Sequence, residues 1–71
     1  MVMGRIVSKT PLKDKYLKII GWLLVDDKGN QQLNEFSGKI IGFYDAGRNC
    51  TLEFSGKIVA YSNILTTLLH V

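Results

Sequence analysis

The sequence predicts a small all-β domain assembled from copies of one hairpin, and three observations carry that prediction. Glu35-Phe36-Ser37-Gly38-Lys39-Ile40 recurs letter for letter as Glu53-Phe54-Ser55-Gly56-Lys57-Ile58. A strand pattern of lysine, two aliphatic residues, a small residue and an aromatic appears as Lys18-Ile19-Ile20-Gly21-Trp22, Lys39-Ile40-Ile41-Gly42-Phe43 and Lys57-Ile58-Val59-Ala60-Tyr61, with a fainter version at Gly4-Arg5-Ile6-Val7. Turn residues arrive at short regular intervals between stretches rich in β-branched and aromatic side chains, which is the pattern of a meander of short strands.

Six strands follow in order. The first, 4–9, ends before Thr10-Pro11, because proline fixes φ and cannot donate to a ladder. The second, 16–25, contains the first full copy of the lysine-to-aromatic pattern. Asp26-Asp27-Lys28-Gly29-Asn30 then supplies a turn, with aspartate able to bond its own backbone and glycine able to take the left-handed conformation. Strand three, 31–36, leads into a Ser37-Gly38 pair read as a two-residue hairpin loop, and strand four, 39–44, leaves it. Asp45-Ala46-Gly47-Arg48 is the next turn, followed by strands 50–54 and 57–61 about the second Ser-Gly pair. In the tail, Ser62 or Asn63 is placed to cap a short helix whose Ile64, Leu65, Leu68 and Leu69 share a face. A seventh strand is the competing reading there, since Thr66 and Thr67 are mediocre helix formers.

Period-two alternation puts Lys18, Ile20 and Trp22 on one side, as it does Lys39, Ile41 and Phe43, and Lys57, Val59 and Tyr61. A small residue then recurs on the opposite side at Gly21, Gly42 and Ala60. Glycine weakens a strand interior unless close backbone approach requires it, so these positions predict crowding near a common axis. The expected architecture is a pseudo-symmetric repeat of hairpins forming a closed or nearly closed, barrel-like structure, a single domain over residues 1–71.

Composition bounds the function. A chain of 71 residues, 46% hydrophobic and 21% charged, folds around a thin core. Small domains supplement such cores with disulfides, metals or subunit contacts. Cys50 is the one cysteine and His70 the one histidine, so an intrachain disulfide is excluded and a four-ligand zinc site is nearly so. Assembly with further copies is the supplement left, and a homo-oligomer is expected. The longest apolar stretch, Ile19 to Val25, is too short to span a bilayer and the first residues lack a signal-peptide pattern, so a cytoplasmic protein without membrane partners is expected. The net charge of +3 permits an anionic partner, but the nine Lys and Arg residues are scattered.

No catalytic constellation stands out. His70 is penultimate, where a side chain frays into solvent more readily than it orients a nucleophile. Cys50 at a strand start reads as a small buried hydrophobe, and Asp26-Asp27 reads as turn chemistry rather than a carboxylate dyad. No metal ligand set, cofactor motif or phosphate loop is present. The residues that invite a binding role are Lys18, Trp22, Lys39, Phe43, Lys57 and Tyr61: rings could stack bases while ammonium groups neutralise phosphates, as in single-stranded nucleic-acid recognition. The simpler account is that lysine stems lie along apolar surface while the rings complete the core. The function expected is a non-enzymatic binding or interaction module that self-associates, with a protein partner also open. A small barrel binding single-stranded RNA is the alternative.

The Asp26-Asp27-Lys28-Gly29 turn, the Gly38-Lys39-Ile40-Ile41-Gly42-Phe43 strand, and Tyr44-Asp45 with Gly47-Arg48 together resemble the four-fold β-flower family of small bacterial domains. The resemblance runs from about Gly4 to Leu69. It implies four hairpin-like petals about a pseudo-four-fold axis in a family without a settled biochemical activity, and it brings no catalytic residues. The Tyr44 to Arg48 turn is one residue shorter than the family pattern. A weaker resemblance, carried by residues 38–43, Tyr61 and Leu65-Thr66-Thr67, is to the Sm-like RNA-binding barrel.

Overall fold

A computed structural model describes residues 3–69, and in it the chain forms six strands and one 3-10 turn. The strands are β1 (Ile6–Lys13), β2 (Ile19–Asp26), β3 (Gln31–Glu35), β4 (Ile40–Asp45), β5 (Cys50–Glu53) and β6 (Ile58–Ala60), followed by the 3-10 turn Leu65–Leu68. They form one antiparallel sheet in the order β1-β2-β3-β4-β5-β6, each strand paired with its neighbours in sequence. The sheet is open, with β1 and β6 as its two edges and, among the described residues, no pairing between them. The closed or nearly closed barrel expected from the repeats is therefore not found, and the tail covers one face of an open meander instead.

Four of the turns share one construction. The N–H of Gly38 donates to Glu35 O and that of Glu35 to Lys39 O, each at 2.9 Å, and Gly38 takes φ +95°. Gly56, Glu53 and Lys57 repeat those bonds at 2.9 Å, with Gly56 at φ +94°. Asp26, Gly29 and Asn30 bond the same way, and so do Asp14, Leu17 and Lys18. The loop is therefore three residues ending in a left-handed position, not a two-residue Ser-Gly loop. The recurring lysine is the residue whose carbonyl closes the turn.

Each of these turns opens on an acidic residue, and the β4–β5 turn opens on one too. Asp14 Oδ1 accepts from the N–H groups of Tyr16 and Lys18, and Asp45 Oδ1 from those of Gly47 and Arg48. Glu35 and Glu53 accept instead from the hydroxyls of Ser37 and Ser55. A carboxylate that satisfies backbone donors two to four residues ahead favours the chain reversal locally.

The Asp14–Lys18 turn is where the sequence reading departs most from the structure. Residues 16–18, expected in a strand, belong to this turn, and Thr10 to Lys13, expected to interrupt, continue β1. Pro11 is tolerated because β1 is an edge strand with no partner on its outer side. Leu17 holds the left-handed place at φ 65° while 77% exposed. That conformation costs a branched L-residue about 1–2 kcal/mol, against about 0.5–1 kcal/mol for the extra unfolded-state freedom of glycine. Leu17→Gly should therefore raise Tm by a few degrees, about 2–6 °C, and a lowered Tm in a calorimetric scan would contradict the strain argument.

A bulge follows each of three turns. Lys13 pairs with Ile19 and Leu12 with Gly21, leaving Ile20 unpaired. Asn34 pairs with Ile40 and Leu33 with Gly42, leaving Ile41, and Leu52 pairs with Ile58 and Thr51 with Ala60, leaving Val59. One extra residue shifts the alternation by one, so lysine and aromatic no longer share a side as strict period two would have it.

Cross-strand partners share a face. Leu23, Leu33, Gly42, Tyr44 and Thr51 lie on one side, and Trp22, Leu24, Gln32, Phe43, Leu52 and Ile58 on the other. The tail covers the first side. Buried Thr51 donates its hydroxyl to Ser62 O at 2.6 Å and accepts from the Ile64 N–H at 3.0 Å, which aims the Leu65–Leu68 turn across the sheet. The expected helix is thus a single 3-10 turn, with Asn63 Oδ1 accepting from the Leu65 N–H. A Cβ at Gly42 or Gly21 would first meet the neighbouring strand, at Leu52 O (2.6 Å) and Asn34 O (2.7 Å), and then the leucines of the tail, so the crowding predicted at these glycines is close backbone approach with Leu65, Leu68 and Leu69 packed above it. His70 lies outside the described residues.

Candidate functional site

The open side of the sheet carries a groove of about 490 Å³ running along β4 and β5. Its floor is Phe43 and Leu52, which face each other across the strand pair. One end is walled by Asn30, Asp45 and Arg48, the other by Phe54, Ser55 and Gly56 of the β5–β6 turn. The size falls in the range of binding pockets, and although Phe43 and Leu52 form the floor, the exposed lining is more polar than apolar.

The polar wall is built by the turns. Asn30 Oδ1 accepts from the Ala46 N–H at 2.9 Å, which ties the β2–β3 turn to the β4–β5 turn. Asp45 Oδ2 accepts from Arg48 Nε at 2.8 Å. The Arg48 hydrogen bond holds the Asp45 carboxyl below its ordinary value against a smaller opposing effect of desolvation, and Asp45 in turn raises Arg48. Arg48 uses Nε for this pair, and among the described residues its two terminal nitrogens make no hydrogen bond. An exposed pair of this kind adds little to stability.

Beneath Asn30 sits Asp26, 2% exposed. Its Oδ2 accepts from the Gly4 N–H at 2.8 Å and the Asn30 side-chain amide at 3.0 Å, and its Oδ1 from the N–H groups of Lys28 and Asn30 at 2.9 and 2.8 Å. Burial pushes this carboxyl up, but the donors of Gly4, Asn30 and Lys28 outweigh it and hold the value at about 2. Asp26 is a structural anion, and Asp27 is exposed beside it, so the pair does turn work.

Of the six residues singled out by sequence, only Phe43 lines the groove. Lys18, Lys39 and Lys57 are exposed and stand just before β2, β4 and β6. They follow the β1–β2, β3–β4 and β5–β6 turns, which lie at the same end of the meander. Trp22 is half-buried, with Lys9 Nζ 4.6 Å from its ring centroid. Tyr61 is exposed beyond the end of β6. Arg48, Asp45 and Phe54 were the residues sequence reasoning missed, since a turn residue and a turn-tip phenylalanine have no periodic signal. Cys50 is buried, as its strand-start position suggested.

Among the described residues no helix is long and apolar enough to cross a membrane, and no three His, Cys, Asp or Glu side chains gather as a metal site. The chain matches no family model, no curated protein and no solved structure.

Proposed function

We propose that this protein is a non-enzymatic interaction module that assembles with copies of itself. The observation that carries the reading is the imbalance between its core and its surface. Among the described residues only Leu33, Cys50, Leu52 and Leu65 are buried hydrophobics, while Ile6, Val7, Tyr16, Leu17, Phe36, Ile40, Phe54, Val59 and Tyr61 are exposed. Single exposed apolar residues are ordinary, but so many against so small a core favour a second surface that covers some of them. The acidic residues support a non-catalytic reading, because Asp14, Asp26, Glu35, Asp45 and Glu53 are all engaged in turn hydrogen bonds.

The shared turn and bulge geometry of the β1–β2, β3–β4 and β5–β6 hairpins supports a chain that arose by copying one hairpin, in keeping with the β-flower resemblance. Base stacking on the lysine and aromatic residues ranks below self-assembly, because the Trp22 ring already carries the Lys9 ammonium. Sedimentation equilibrium from low micromolar to millimolar protein tests the reading. A mass that rises with concentration to a defined multiple of 8.0 kDa is expected, and a monomer throughout would refute it.

A further inference from the structure

Resting on that reading, we infer that the surface joining two copies is the β4–β5 groove, with Phe54 of each copy seated in the groove of the other across a two-fold axis. A two-fold interface uses the same patch on both molecules, so the patch must be complementary to itself. This one is. It holds a projecting ring, Phe54, and a hollow floored by Phe43 and Leu52. It also holds both signs of charge, with Arg48 beside Asp45 in the wall. Opposed about a two-fold axis, the Asp45–Arg48 end of one groove meets the Phe54-Ser55-Gly56 end of the other, so neither guanidinium is brought against its own copy.

The β1 edge is a poorer joint. Pro11 lacks an N–H, Lys9 and Lys13 charge the strand, and its register is irregular after Ile6 and before Lys13. These are the devices by which edge strands resist pairing. The tail already covers the other face. A specific dimer needs about 600–1,000 Å² from each copy, a modest share of the 4712 Å² of surface.

The internal duplication supplies its own control. Phe36 and Phe54 sit in identical six-residue segments, at the same turn position, 67% and 66% exposed. Only Phe54 borders the groove. Sedimentation equilibrium on Phe54→Ala, Phe54→Leu and Phe36→Ala therefore separates a specific joint from general stickiness, with thermal melts confirming that each variant is folded. Phe54→Ala should weaken the dimer at least about tenfold, Phe54→Leu less, and Phe36→Ala by no more than about threefold. Equal losses at Phe54 and Phe36, or a loss at Phe36 alone, would overturn the groove as the joint while leaving self-assembly standing. A wild-type protein that is monomeric at every concentration would overturn both.

Discussion

Asp26→Ala is expected to lower Tm by more than about 10 °C. The carboxylate is buried, has no salt-bridge partner among the described residues, and is held by four N–H donors from Gly4, Lys28 and Asn30. Alanine leaves those four donors without their shared acceptor. The damage is not local. Asn30 Nδ2 loses its acceptor, and Asn30 Oδ1 is the acceptor for the Ala46 N–H, so the wall of the groove loosens with the turn. Gly4 loses its anchor as well, which frees the residues that lead into β1.

The same group gives the fold an acid limb. A carboxyl lowered from 3.8 to about 2 stabilises the folded state fully above the unfolded value, and that contribution is lost as the pH falls from about 4 through about 2. Asp45, also lowered, adds in the same direction. Thermal melts of the wild type should therefore drop steeply across this window, and those of Asp26→Ala should drop less, because the group that takes up the proton is gone. Parallel curves for the two proteins would show that Asp26 is not the source.

The strands were legible in the sequence because β-branched residues and turn signals mark them, and all six were expected near where they occur. The turns were legible only in part. Asp26 to Asn30 announces itself by glycine, while Asp14 to Lys18 puts Leu17 in the left-handed place and hides an identical construction behind an apolar side chain. Its acidic first residue was the signal available, since each turn in the meander opens on one. Faces were misread for a different reason. A bulge at Ile20, Ile41 and Val59 adds one residue just where the lysine-to-aromatic pattern was counted, and a period-two argument has no means of registering it. The groove was illegible because it joins residues from three turns through contacts such as Asn30 to Ala46, which no local pattern encodes.

Gly42→Val should destabilise the fold by about 3 kcal/mol or more, enough to threaten folding in a domain of this size. A Cβ at this position would lie 2.6 Å from the carbonyl oxygen of Leu52, 3.1 Å from Leu68 Cδ1 and 3.4 Å from Leu65 Cδ1. The leucine ends are flexible and can move by the few tenths of an ångström required. The carbonyl cannot, because it belongs to β5, the strand in which Cys50, Thr51 and Leu52 are all buried. Relief must come from displacing β5 or β4, and either movement disturbs the β4–β5 ladder and the floor of the groove on the opposite side. Gly42→Ala with Leu68→Ala separates the two sources of crowding. If the tail alone were the obstacle, shortening Leu68 would restore the melting temperature beyond that of Gly42→Ala. The geometry predicts no such rescue, because the closer contact is with backbone. Gly38→Ala supplies the contrast: nothing lies within 4 Å of its Cβ, so its cost arises from φ +95° alone and should stay near about 1–2 kcal/mol. A Gly42→Val protein that melts within a few degrees of wild type would show that the sheet gives way more readily than its burial implies.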